Sequence, residues 1–252
     1  MRLRRPAAVL AATLVVASSV VAAVAFADGS HAGRPRLTVF AAASLTNVFP
    51  LVDSRARYSF GGSNMLAAQI EQGLPADVFA SADRGLPWQL HRKGLVSRPV
   101  VFTANKLVIV VAHGNPRRLH GVRDLERSGL RIVMAAAGVP VGDYTRTVLG
   151  RLGLSDLVGK AVAQETDVRA VLSQVALGEA DAGFVYATDA RTVKDKVGVI
   201  GLPKSAQPRV FYAAAAVRSS SHLQAAKTWV QRLLTKRAQK KLRAAGFLPV
   251  PR

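Results

Sequence analysis

The chain has 252 residues, 35 basic against 15 acidic, no cysteine, and half of its residues hydrophobic. The missing cysteine excludes disulfides, thiolate metal sites and a thioether-linked lipid, so the core alone must hold the fold. A formal charge of +20 draws anions to the surface; the densest basic run, KRAQKKLR at 236–243, has no interleaved aromatics and reads as a solvated helical face, so no nucleic-acid partner is expected.

The N-terminus places Arg2, Arg4 and Arg5 before an uncharged, mostly apolar run at 6–27 that ends in Ala25-Phe26-Ala27. That small-x-small ending fits a secretory cleavage site, so residues 1–27 are read as a signal peptide. The run is long enough to span a bilayer, and an uncleaved anchor is the alternative. Cleavage removes three positive charges, no negative ones, and leaves +17. The remainder is long enough for one large or two moderate α/β domains.

Residues 37–47, LTVFAAASLTN, read as a strand running into tiny residues, a hydroxyl and the start of a helix. Such a junction makes a pocket of unpaired backbone N–H groups that suits an oxyanion; Ser44 as an ordinary N-cap is the competing reading. Pro50 and the stretch 53–57 cut this first helix short. A brief strand at 58–60 leads into Gly61-Gly62-Ser63 and a helix at 64–72 ended by Gly73, a second junction of the same kind. A strand at 76–80 and a helix at 83–93, closed by Gly94, follow.

The run KLVIVVA at 106–112 is continuous enough for a strand buried on both faces, and the cluster His113-Gly114-Asn115-Pro116 marks a place for the chain to cross between lobes. Helix, strand, helix, strand, helix and strand are then predicted at 122–127, 131–136, 143–152, 161–164, 168–177 and 182–186. The helix at 168–177 buries Val168, Val171, Leu172 and Val175, with Thr166 or Asp167 as its cap. Strands at 197–200 and 209–217 precede a helical stretch at 222–247. This alternation predicts α/β architecture with mainly parallel sheets.

No G-x-S-x-G elbow, phosphate-binding loop or dinucleotide fingerprint is present. The histidines His31, His91, His113, His120 and His222 lack ligand spacing, and Glu165 with Asp167, or Asp77 with Asp83, read as caps and turn residues rather than an acid/base pair. Enzyme chemistry and a resident metal or cofactor are therefore not expected. What recurs is a neutral donor at a helix start: Ser44, Ser63, the Pro140-Val141-Gly142 turn and Val168. Several such N–H and O–H groups, backed by helix dipoles, can hold a tetrahedral dianion without a counter-charge.

The segments AAASLTN (41–47), GGSNMLAAQIEQGLPADVFASAD (61–83), VPVGDYT (139–145), ETDVRAVL (165–172) and GFVYATDA (183–190) resemble, in the same order, the extracytoplasmic molybdate-binding proteins of ABC transporters. The similarity extends to AAGFLP at 244–249. It implies a two-lobed periplasmic-binding-protein fold of type II, each lobe a mainly parallel sheet flanked by helices. Lobe 1 would comprise 36–108 plus 212–252 and lobe 2 residues 109–211, joined by two hinge crossovers. It further implies an exported or periplasmic carrier, monomeric, that captures molybdate and tungstate for a membrane permease. The ligand positions carried over are Ser44 and Ser63 through hydroxyl and N–H, the N–H of Val141 and Val168, and the Tyr186 hydroxyl, with no direct metal coordination. Two departures stand out: the stretch between Ser44 and Ser63 is several residues shorter than in better-known members, and Val141 stands where alanine is common. Sulfate or phosphate as ligand, a secreted serine hydrolase using Ser44 or Ser63, and a membrane-tethered scaffold are the alternatives.

Overall fold

The computed structural model describes residues 35–250; the expected signal peptide or anchor at 1–27 lies outside them. The strands are β1 (Thr38–Ala42), β2 (Arg57–Gly61), β3 (Val78–Ser81), β4 (Val100–Asn105) and β5 (Leu107–Ala112). They continue with β6 (Ile132–Ala135), β7 (Ala161–Glu165), β8 (Ala182–Tyr186), β9 (Val197–Gly201) and β10 (Val210–Ala216). The helices are α1 (Phe49–Val52), α2 (Ser63–Glu71), α3 (Gly85–Arg92), α4 (Pro140–Arg151), α5 (Val168–Ala176), α6 (Ala187–Arg191), α7 (Leu223–Arg232) and α8 (Lys236–Ala244).

The strands form two five-stranded sheets, ordered β2-β1-β3-β10-β4 and β7-β6-β8-β5-β9. In the first, β1 pairs in parallel with β2 and β3, while β10 runs against β3 and β4. The second repeats the plan, with β5 running against β8 and β9. The α/β, two-sheet organisation is the expected one: each sheet is mixed by a single reversed strand, β10 or β5, while the other four strands run the same way, so the sheets are mainly parallel in direction. The reversed strands are the ones at the passages between sheets, β5 just after the first and β10 just after the second, where the chain re-enters a sheet from its far end.

Those passages lie at Lys106, between β4 and β5, and at 202–209, between β9 and β10. The first comes two residues before the expected division at 108/109, and His113 to Pro116 is a surface turn after β5 rather than the crossing. The reason is that Leu107 and Val108 already pair with Tyr186 and Val185 of the second sheet. Likewise Val210 and Phe211, placed beyond the expected boundary, already pair with β4.

Three local expectations give way. Strand β4 has no counterpart among the predicted elements. The first helix is reduced to a 3-10 turn at Ala43–Leu45 and the single turn α1, with Pro50 in its first turn. The helical stretch at 222–247 is broken into α7 and α8, because the Thr235 hydroxyl accepts from the N–H of Ala238 and starts a new helix. Proline in a first turn is tolerated because its missing N–H would have been unpaired there.

One hydrophobic core runs through both lobes, from Val39 and Phe49 to Ile109, Phe184 and Leu149. An aromatic seam crosses the passage region: Tyr144 against Tyr186 at 6.5 Å, Tyr186 against Tyr212 at 5.8 Å, and Tyr212 against Phe247 at 5.4 Å between centroids. Edge-to-face pairs of this kind add to area burial. A second cluster, around Phe40, Phe79, Leu66 and Leu90, lies under α2 and α3. Among the described residues no helix is long and apolar enough to cross a bilayer.

Candidate functional site

Both serines sit just past the ends of neighbouring parallel strands. The β1–β2 register pairs Ala42 with Gly61, so Ser44 and Ser63 each stand two residues beyond a matched pair. The shortened segment between them therefore leaves their relation intact. It is anchored instead to α7, where the Asp53 carboxylate accepts from Trp229 Nε1 at 3.1 Å and Arg232 Nη1 at 3.0 Å.

Neither serine is a helix cap. Ser44 lies inside the 3-10 turn, and its Oγ is 2.9 Å from the Tyr212 hydroxyl. Ser63 is the first residue of α2, after Gly62, and its Oγ accepts from the N–H of Ala82 at 3.1 Å. Both are buried.

The second lobe contributes in the same way. α4 opens on Pro140, which has no N–H, so Val141 presents the first free donor of that helix. α5 opens on Val168 after Asp167, whose carboxylate accepts from the N–H groups of Arg169 at 2.7 Å and Ala170 at 3.1 Å. Because the cap takes the second and third donors, the N–H of Val168 is left over. Tyr186 ends β8 and is buried, and its hydroxyl has no hydrogen-bond partner among the described residues. Burial pushes this phenol well above its ordinary value, so it stays a donor.

Ser44, Ser63, Val141, Val168 and Tyr186 all line one cavity, together with Ala42, Ala43, Gly61, Gly62, Ala82, Val139, Pro140 and Asp167. Among the described residues, the lining holds no lysine, arginine or histidine. Its volume is about 10 Å³, the scale of a single water and too small for an organic substrate. The donors come from the C-terminal ends of β1, β2, β6, β7 and β8, the end of an α/β sheet where helix starts converge on ligands.

The lobes meet closely around this cavity. A Cβ on Gly62 would lie 2.4 Å from the carbonyl oxygen of Thr166 in the opposite lobe. Arg169 on α5 donates to Asn47 Oδ1 at 2.7 Å, again across the cleft.

The bacterial extracellular solute-binding protein family matches residues 37–248. The chain belongs to this family. Among its relatives, the molybdate-binding protein of Mycobacterium bovis is 35% identical over 229 residues, covering 87% of each chain. The periplasmic molybdate-binding protein of Azotobacter vinelandii has a TM-score of 0.76 at 25% identity, over 86% of this chain and 100% of that one. A sulfate-binding protein of Mycobacterium tuberculosis reaches 0.74 at 20% identity, over 86% and 87%; this likeness concerns the fold alone, which does not choose the anion.

In this solute-binding protein the sequence reading missed Tyr212, Asn105, Arg169 and Asp189. Asn105 and Tyr212 lie on β4 and β10, and nothing local separates them from core-strand residues. Asp189 is fully buried and paired with Arg169, whose Nε lies 2.9 Å from its Oδ1. Burial pushes the Asp189 carboxyl up to about 7, against the pull of Arg169. A carboxyl raised on folding favours the folded state most fully below its unfolded value of 3.8, and that contribution is lost as pH rises through about 7. In urea unfolding across this window, the stability difference between the unmodified protein and Asp189→Asn should fall with rising pH and then level off. A difference that rises with pH would show that the ion pair with Arg169, not burial, governs the group.

Proposed function

We propose that this protein is an extracytoplasmic carrier that captures molybdate, and tungstate as well, between its lobes and delivers it to the membrane permease of an ABC importer. The observation that carries the reading is the convergence of Ser44, Ser63, Val141, Val168 and Tyr186, from both lobes, on one small cavity with no basic side chain. A tetrahedral dianion is matched there by neutral donors and helix starts, through its oxygens and without direct coordination of the metal. Relatives that bind molybdate at 35% identity support the choice of anion. Closing the lobes completes the site, and the closed form is what a permease would recognise. We place the carrier outside the cytoplasmic membrane and expect it to act as a monomer without a resident cofactor.

Titration calorimetry with molybdate, tungstate, sulfate and phosphate, or the fluorescence of Trp88 and Trp229, tests this directly. Tight binding of molybdate and tungstate is expected; tight sulfate or phosphate binding with no response to molybdate would overturn the assignment. Hydrogen bonds to a charged group contribute about 1.5–3 kcal/mol each, so Ser44→Ala and Ser63→Ala should each weaken molybdate binding by at least about 1 kcal/mol. Unchanged affinity in both would remove the serines from the site. The hydrolase alternative finds no histidine in the cavity lining, and Ser63 Oγ is engaged by a backbone N–H rather than by a base.

A further inference from the structure

Asn105 closes β4 at the first passage between sheets. Its Oδ1 accepts the N–H of Lys106 at 2.9 Å, which fixes the orientation of the amide and makes Nδ2 its donor end. That end reaches Thr188 Oγ1 on α6 at 2.9 Å and the Tyr212 hydroxyl on β10 at 3.3 Å. Tyr212 is fully buried. With Asn105 donating to its oxygen, the phenol has one hydrogen to place, and Ser44 Oγ lies 2.9 Å away. The distance alone leaves the donor of this pair open, but among the described residues the buried phenol hydrogen has no other acceptor, whereas Ser44 lines the cavity and can turn its own hydrogen into it, so the pair is satisfied with Ser44 accepting.

Ser63 is arranged alike, since its oxygen accepts from the N–H of Ala82. The acid of the lining, Asp167, commits only Oδ1 to the start of α5, so Ser44 sets one part of the lining's polarity rather than all of it. We infer that Tyr212 and Asn105 are positioning residues that hold Ser44 as a hydrogen-bond donor towards the cavity, and so select fully deprotonated tetrahedral dianions over oxyanions that keep a proton. The inference rests on the proposed oxyanion site and deepens it. A protonated oxyanion brings a hydroxyl that needs an acceptor, and an unpaired buried donor is heavily penalised. Ser44 facing inward with its hydrogen offers no such acceptor.

The two residues make separable tests. Tyr212→Phe keeps the ring and frees Ser44 to rotate, so its lone pairs can face the cavity. Asn105→Asp replaces a donor by an acceptor: Tyr212 then donates to the carboxylate, Ser44 donates to Tyr212, and the polarity at the cavity reverses. Titration calorimetry of the full mature chain and both variants, with molybdate and with inorganic phosphate, reads the ratio of the two affinities. Thermal melting without ligand checks that each variant is folded.

The ratio of molybdate to phosphate affinity is expected to narrow by about tenfold in Tyr212→Phe, the scale of one redirected buried hydrogen bond, and by more in Asn105→Asp. Parallel weakening of both anions, with the ratio unchanged, would mean that these residues only support the fold, and would overturn the inference. Equal affinities in the unmodified protein would overturn it as well. Failure of the unmodified protein to bind molybdate would instead remove the function on which it rests. Should Tyr212→Phe not fold, Asn105→Asp carries the same comparison.

Discussion

Gly62→Ala is expected to lower molybdate affinity by about 100-fold or more while leaving the unliganded protein folded. The backbone at Gly62 has φ −60° and ψ 131°, which alanine adopts freely, so no conformational strain is involved. The effect comes from across the cleft, where the added Cβ would lie 2.4 Å from the Thr166 carbonyl oxygen; within its own lobe it would also lie 2.9 Å from Asn64 Oδ1, a side-chain atom that can turn aside. The backbone oxygen cannot swing away as a flexible side chain would, so the lobes must part by the better part of an ångström. Donors from both lobes serve one small cavity, and parting them lengthens several ligand contacts together. Losing two hydrogen bonds to a charged ligand removes about 3 kcal/mol or more, which is the predicted factor. Calorimetry measures the affinity and thermal melting without ligand the fold. An unchanged affinity would show that the lobes bind ligand without this approach.

Tyr186→Phe should separate binding from stability with opposite signs. The hydroxyl is buried without a partner among the described residues, and an unsatisfied buried donor is destabilising by about 1–3 kcal/mol. Removing it should leave the unliganded protein as stable as before, or up to about 1 kcal/mol more stable, in urea unfolding. The ring stays in the seam between Tyr144 and Tyr212, so packing is conserved. Molybdate binding should weaken by about 1.5–3 kcal/mol, roughly 10- to 150-fold. A loss of stability without a loss of affinity would make the hydroxyl structural. The gain in one state and loss in the other is the mark of a group held ready for a ligand.

Much of the candidate site's lining was legible because it is written in local chemistry. A strand ending in small residues, a serine, and an amphipathic helix recur at Ser44 and Ser63, and proline followed by a free N–H marks Val141. The cap at Asp167 leaves Val168 as the spare donor. The competing reading of Ser44 as an ordinary N-cap does not hold, because Ala42 takes that position, and Ser63 likewise follows its cap, Gly62. At Ser44 the helix shrinks to a 3-10 turn before Pro50, and at Ser63 the hydroxyl accepts from the N–H of Ala82, just past the end of β3. Strand β4 went unseen because 100–105, VVFTAN, mixes polar residues into the run and carries no turn signal that sets it apart from β5.

What the sequence by itself determined was the α/β alternation, the α5 cap and the positions of the donors, since each depends on spacing within some ten neighbouring residues. What only the tertiary structure decided was their meeting. The β1–β2 register sets Ser44 beside Ser63 despite the short segment between them. The mixed sheets send the chain across at Lys106 rather than at His113, and Gly62 lets the lobes close to backbone contact. The direction of the Ser44 hydrogen depends on Tyr212, 168 positions along the chain, and on Asn105 behind it. A hydroxyl carries both a donor and an acceptor, so its residue type alone leaves its polarity open; the partners that the fold brings to it make the choice.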